Sequence, residues 1–211
     1  MVGRAVLRVL AAEALGAARP QEVTVAETAD GKPFLPDSPD VRISVAHSET
    51  VVVVAACRQA DIGVDVDSLG HVTPNVHRLA ARVLAGDEFA RLAEMEPAAA
   101  GVEFMRHWIV KEAVGKALGT GYVPALRGAE LEPEPPGDTA PGLDGGSTRL
   151  GLRLKSVWAG PPAEDWTLHA LNIPGADELI VVAIAAPRVA LAPPLLITAA
   201  VLQAGGFAPR F

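Results

Sequence analysis

Two groups of acids and bases in this chain have the types and spacing to handle a phosphate. The first is Gly63-Val64-Asp65-Val66-Asp67, where two carboxylates alternate with valines. In an extended strand Asp65 and Asp67 fall on one face and Val64 and Val66 on the other. Asp is disfavoured in strands, and two neighbouring carboxylates repel, which raises one pKa unless a cation sits between them. A hard divalent ion with oxygen ligands, Mg²⁺ above all, resolves that conflict. The bland alternative is an edge strand with a solvated polar face. The second group is Trp108-x-x-Lys111-Glu112-Ala113-x-x-Lys116. Trp108, Glu112 and Lys116 recur at i, i+4 and i+8, along one side of a helix, and Phe104 extends the row by a turn. Taken alone, Glu112 and Lys116 would suit a surface pair that stabilises a helix by roughly 0.2–0.5 kcal/mol. Trp108 and Lys111 argue that this face meets something. Two lysines beside a carboxylate suit a bound phosphate whose metal ion the carboxylate holds.

The elements that must position these residues follow from local pattern. Phe104 to Leu118 is rich in helix formers and contains no Pro, so a helix is expected. Pro97 to Gly101 before it reads as a linker. Ile62 to Asp67 reads as a strand. Arg42 to Val45 and Val51 to Cys57 read as a hairpin with Ala46-His47-Ser48 at its end, a good place for a ligand contact. A lone histidine there is more often a surface residue. Asp30-Gly31-Lys32-Pro33 is a turn with a lysine at its apex. Val2 to Leu15 has helical spacing, Val23 to Val25 suits a short strand, and Thr73 to Leu84 suits a helix with Thr73 as cap and Pro74 in its first turn. Gly86 to Leu92 suits another. Leu131 to Ser147 is a Pro/Gly/acid-rich loop with no assigned chemistry. Leu150–Val157, Trp166–Leu171 and Leu179–Ile184 alternate as three strands that could form a meander, with Trp158 and Trp166 as packing residues. The order of elements suggests an α+β chain in two halves.

Composition narrows the function. The chain has 211 residues, enough for one or two domains with a real core. Half of its residues are hydrophobic, which excludes disorder as a whole. A formal net charge of −7 argues against a general nucleic-acid binder. Cys57 is the one cysteine, so no internal disulfide forms, and a reducing, cytoplasmic setting fits. No apolar run is long enough to span a bilayer, so no membrane partner is expected.

Gly31-Lys32-Pro33, Ala46-His47-Ser48, Gly63-Val64-Asp65-Val66-Asp67 and Trp108-x-x-Lys111-Glu112-Ala113-x-x-Lys116, in that order and spacing, resemble the 4′-phosphopantetheinyl transferases of the two-lobed type that activates synthases for siderophores, peptides and polyketides. The resemblance implies two pseudo-symmetric α/β lobes with the active site at their interface: residues 1–70, then 71–188, then a tail from 189 to 211. It implies transfer of the phosphopantetheine arm of coenzyme A to a serine of an acyl or peptidyl carrier protein, with release of 3′,5′-ADP. The carriers would belong to polyketide, non-ribosomal peptide or fatty acid synthases of secondary metabolism, and the enzyme would act as a monomer. Carried over, Asp65, Asp67 and Glu112 hold Mg²⁺. Lys116 and His47 contact the phosphates, with Lys111 beside them. Lys32, with Pro33, approaches the 3′-phosphate. Glu112, or a metal-bound water beside it, takes the serine proton.

Three departures qualify the resemblance. The family commonly has Glu where Asp67 stands, so the shorter arm is expected to reach the metal less directly. Ala46 replaces a frequent Ser or Thr. Relatives also carry several tens of residues before the helix that here begins at Met1, so either the sequence is truncated at its start or the lineage lost that segment. Two other readings use the same residues: a non-catalytic relative that binds coenzyme A or a carrier protein, and a Mg²⁺-dependent nucleotide phosphohydrolase.

Overall fold

The computed structural model describes residues 2–16, 19–49, 51–58, 60–70, 76–120, 126–135, 147–172, 177–186 and 199–200. In chain order these form α1 (Val2–Leu15), a 3₁₀ turn (Pro20–Glu22), β1 (Ala26–Glu27), β2 (Pro33–Phe34), β3 (Val41–His47), β4 (Val52–Arg58), β5 (Asp61–Ser68), α2 (Val76–Val83), α3 (Gly86–Ala93) and α4 (Pro97–Leu118). Then come β6 (Glu130–Pro133), β7 (Ser147–Thr148), β8 (Leu152–Ser156), a second 3₁₀ turn (Ala163–Asp165), β9 (Trp166–Asn172), β10 (Glu178–Ala185) and β11 (Ala199–Ala200). The mixed α+β class is as expected. The strands make three antiparallel sheets, ordered β1-β2-β3-β4-β11, β5-β10-β9-β7 and β6-β8.

Alternation along the strands builds a layered core. Val41 and Ile43 of β3 and Val54 of β4 pack against Leu7, Leu10 and Ala11 of α1. The other face of that hairpin, with Ala46, Val53 and Ala55, meets Ile62, Val64 and Val66 of β5 and Ile180, Val182 and Ile184 of β10. The remaining residues of β10, Leu179, Val181 and Ala183, point the opposite way and pack on Ile109, Val110, Ala113, Val114 and Ala117 of α4. Their register partners on β5 are Asp67, Asp65 and Gly63. Antiparallel partners share a face, so both aspartates lie on the side of the sheet that α4 covers.

Helix α4 is apolar around most of its circumference, the signature of a helix buried within a domain. It begins earlier than the expected linker allows. Pro97 occupies the first turn, where its missing N–H costs nothing, and three alanines follow. It ends at Gly119, held at φ 73°, with the Thr120 N–H returning to the Gly115 carbonyl at 2.9 Å.

Other expectations need correcting. The three later strands do not form a meander. β9 and β10 pair, but β8 pairs with β6, so residues 131–133, expected to open a loop, are strand instead. Alternation marks a strand without naming its partner. Val23–Val25 is not a strand; the pairing residues are Ala26 and Glu27, displaced by the 3₁₀ turn that Pro20 starts. Trp166 is buried, with its indole N–H donated to the Pro161 carbonyl at 3.1 Å. The proposed cap at Thr73 and most of the tail from 189 to 211 lie outside the described residues.

Candidate functional site

Gly63 is what lets α4 lie on β5. A Cβ added there would stand 1.9 Å from the Ala113 carbonyl oxygen and 2.4 Å from the Ala117 amide nitrogen. No side chain fits, so helix and strand backbones meet at this point. Asp65 lies two residues along the strand on the same face, and Glu112 and Lys116 each precede one of the two touching alanines. A glycine and two alanines thereby bring the acidic strand and the charged row of α4 together.

The contact that results is direct. Lys116 Nζ lies 2.6 Å from Asp65 Oδ1. Asp65 is 8% exposed, while the Lys116 side chain keeps 30% of its surface. Burial pushes the Asp65 pKa above its ordinary value and the Asp67 charge adds to this, while Lys116 and the Val66 N–H oppose. Burial, and then the charge of Asp65, likewise push Glu112 up, again against Lys116. Asp65, Asp67, Glu112 and Lys116 therefore share one electrostatic neighbourhood. β5 is also an edge strand, and its acids serve that edge: Asp67 Oδ1 accepts the Ser68 N–H at 2.8 Å. Ser44 Oγ of β3 accepts the Val64 N–H at 3.1 Å, a buried polar link from the hairpin.

The donor set fits a hard divalent cation, being all carboxylate oxygen. Two of its acids, Asp65 and Glu112, are held above their ordinary pKa by burial and by a neighbouring carboxylate, a state that a cation relieves. Among the described residues no three His, Cys, Asp or Glu side chains already stand close enough to hold a metal. As the site stands, Lys116 supplies the positive charge to Asp65.

The remaining expected residues lie as follows. Lys32 reaches the same end of α4: its ammonium donates to the Ala117 carbonyl and lies 3.5 Å from Asp61 Oδ1. Arg42 Nε shares that acid at 3.2 Å. Burial lowers the Lys32 pKa and Asp61 opposes. Pro33 sits in β2, opposite Glu27. His47 is exposed at the end of β3, opposite Val52 across the hairpin. Trp108 packs on Phe104 with ring centroids 6.0 Å apart and contacts the core on both sides of α4, so it anchors the helix as well as lining its row.

Lys111 is directed into the core. Its side chain is 0% exposed and its Nζ pairs with Glu88 Oε2 at 3.0 Å. Burial lowers its pKa and Glu88 opposes. Glu88, Asp61 and Ser44 are the residues that sequence reasoning missed. Each has its partner far away in the chain, and no local spacing ties Glu88 to Lys111.

Comparison with known proteins follows this geometry. Residues 61–161, which contain β5 and α4, match the sequence model of the 4′-phosphopantetheinyl transferase superfamily. The chain is similar to an L-aminoadipate-semialdehyde dehydrogenase-phosphopantetheinyl transferase of Eremothecium gossypii, 31% identical over 105 residues that cover 48% of this chain and 38% of the relative. It is also similar to a 4′-phosphopantetheinyl transferase of Bacillus subtilis, 27% identical over 121 residues that cover 57% of this chain and 52% of the relative. The chain thus spans about half or less of the length of these curated relatives. The segment that carries Asp65, Glu112 and Lys116 is thus similar to the 4′-phosphopantetheinyl transferase superfamily.

Proposed function

We propose that the chain transfers the 4′-phosphopantetheine group of coenzyme A to a serine of an acyl or peptidyl carrier protein, in the manner of the two-lobed, synthase-activating members of that family. The observation that carries this reading is the meeting of Asp65 from β5 with Glu112 and Lys116 from α4 across the Gly63 contact. The serine oxygen attacks the phosphorus that bears the pantetheine arm. The bond from that phosphorus to the bridging oxygen breaks, and 3′,5′-ADP leaves with the electron pair. Such a displacement asks little covalent help, so positioning and charge neutralisation carry the rate. Glu112, or a water beside it, is assigned to take the serine proton. Lys116 is partly exposed and can turn its ammonium from Asp65 to the diphosphate. His47 and Lys32, with Pro33, are assigned to the outer phosphates.

Asp65, Asp67 and Glu112 would hold Mg²⁺, which when bound neutralises the diphosphate. Asp67 is committed in part to the Ser68 N–H, which suits a ligand acting at longer reach. The site would lie between two lobes, one around α1 and the β3–β4 hairpin and one around α4. Carrier domains of secondary-metabolite synthases are the acceptors assigned here.

The test is intact-mass spectrometry of a panel of apo carrier domains incubated with the protein, coenzyme A and Mg²⁺. The expected result is a gain of one phosphopantetheine mass on the acceptor serine, abolished by a chelator. Binding of coenzyme A without mass gain would instead make the chain a non-catalytic relative. Coenzyme A cleavage without an acceptor would make it a hydrolase.

A further inference from the structure

Lys111 and Glu88 form a second charged pair, buried away from the proposed site. The Lys111 ammonium has three protons and three protein acceptors: Glu88 Oε2 at 3.0 Å, the Leu126 carbonyl at 3.2 Å and the Ala129 carbonyl. Glu88 Oε1 accepts the Leu131 N–H at 2.7 Å, and Glu88 Oε2 also accepts the Ala85 N–H. The pair thus ties α4 at once to α3 and to the chain that enters β6. Stability alone does not explain it, because buried ion pairs are often replaced by apolar groups of similar volume without loss. What directed bonds add over apolar packing is a fixed orientation.

Helix α4 needs such an anchor. Its closest approach to β5 is made by Gly63, Ala113 and Ala117, residues small enough to let backbones touch, and the larger core residues of α4, Ile109, Val110 and Val114, make apolar contacts that carry no direction. Lys111 immediately precedes Glu112 and stands five residues before Lys116. Any turn of α4 at Lys111 moves both groups relative to Asp65.

We infer that the Glu88–Lys111 pair sets the rotation of α4 on β5 and so holds Glu112 and Lys116 toward Asp65. Both are positioning residues, and Lys111 is not a phosphate ligand. The consequence for turnover rests on the transferase reading; the consequence for geometry does not.

The decisive variant is Glu88→Gln/Lys111→Met, which removes both charges. Either single change strands a buried charge and should lower the melting temperature; the double change should recover most of that loss. In its crystal structure Lys116 Nζ and Asp65 Oδ1 should part beyond about 4 Å, the outer limit of an ion pair. Turnover on a carrier protein should fall by about 100-fold, and KM for coenzyme A should rise with it, because Lys116 is displaced. If the double variant does not fold, Lys111→Arg keeps the charge but not the fit to three acceptors, and the same distance is read. A Lys116–Asp65 contact still at its present length, or full turnover in the double variant, overturns the inference. So does a KM for coenzyme A that rises in Lys111→Met with that contact intact, since Lys111 would then be a ligand. A wild type that modifies no carrier removes the transferase reading alone, and the distance still decides the role of the pair.

Discussion

At the scale of single residues, the site sets two part-buried acids against a lysine. Burial disfavours the ionised forms of Asp65 and Glu112, and Lys116 pairs with Asp65. Removing Lys116 should therefore damage coenzyme A binding and turnover together. For Lys116→Ala we expect a loss of turnover of about 10²–10³, the usual cost of one preorganised charge donor, with a weaker Kd for coenzyme A by calorimetry. Unchanged values of both would return Lys116 to a simple ion pair. Glu112→Gln keeps size and polarity but cannot accept the serine proton. It should cost about 10²–10⁴ in turnover, the typical share of a general base, while its melting temperature holds. Asp65, Glu112 and Lys116 were legible in the sequence because their chemistry is written in short local spacings, two acids alternating in a strand and an i, i+4 row. Lys111 belongs to the same run of residues, yet its partner Glu88 is on another helix. Nothing local distinguishes a lysine aimed at a phosphate from one aimed into the core.

At the scale of elements, the meeting of α4 with β5 decides whether the site exists. Gly63→Ala adds the smallest possible side chain, and the Ala113 carbonyl already occupies its place. Helix and strand must separate, an overpacking that typically costs about 1–3 kcal/mol. We expect a lower melting temperature and a turnover loss larger than the loss of folded protein accounts for. Wild-type turnover per folded molecule would show that the close approach does not set the site. The glycine was legible as part of a motif, but its steric role was not, because a sequence does not say which backbone comes near. The same limit explains β8. Its alternation was readable as a strand, but its partner β6 lies at the start of a stretch whose prolines, glycines and acids read as loop. The early start of α4 has another cause: a proline and three alanines read as a linker by composition, although that order also suits a first helical turn.

At the scale of the whole molecule, the core contains titratable groups that link stability to pH. His107 on α4 is buried. Its Nδ1–H donates to the Glu103 carbonyl at 2.9 Å, and its Nε2 has no hydrogen-bond partner among the described residues. Burial lowers its pKa, against the pull of Glu103 and Glu88. In the unfolded chain the same group takes up a proton near its ordinary value, about 6.5. The folded state thus binds fewer protons than the unfolded state below that value. The contribution is intact above about pH 6.5 and is lost as pH falls, by at most about 1.4 kcal/mol per unit. Urea melts between about pH 7 and 5 should show the slope, and His107→Gln should flatten it; an equal slope in the variant would assign it to other groups. No described helix is long and apolar enough to cross a membrane.

The account depends most on the strand acid and the helix acid serving one phosphoryl transfer. Asp65→Ala leaves α4, Glu112 and the Gly63 contact in place and removes only the acid of the strand. Intact-mass spectrometry of one apo carrier domain, treated in parallel with wild type and with Asp65→Ala in coenzyme A and Mg²⁺, reads that dependence directly. The expected result is a phosphopantetheine mass on the carrier with wild type and an unmodified carrier with a folded Asp65→Ala. A carrier modified at equal rates by both proteins, or by neither, would contradict it.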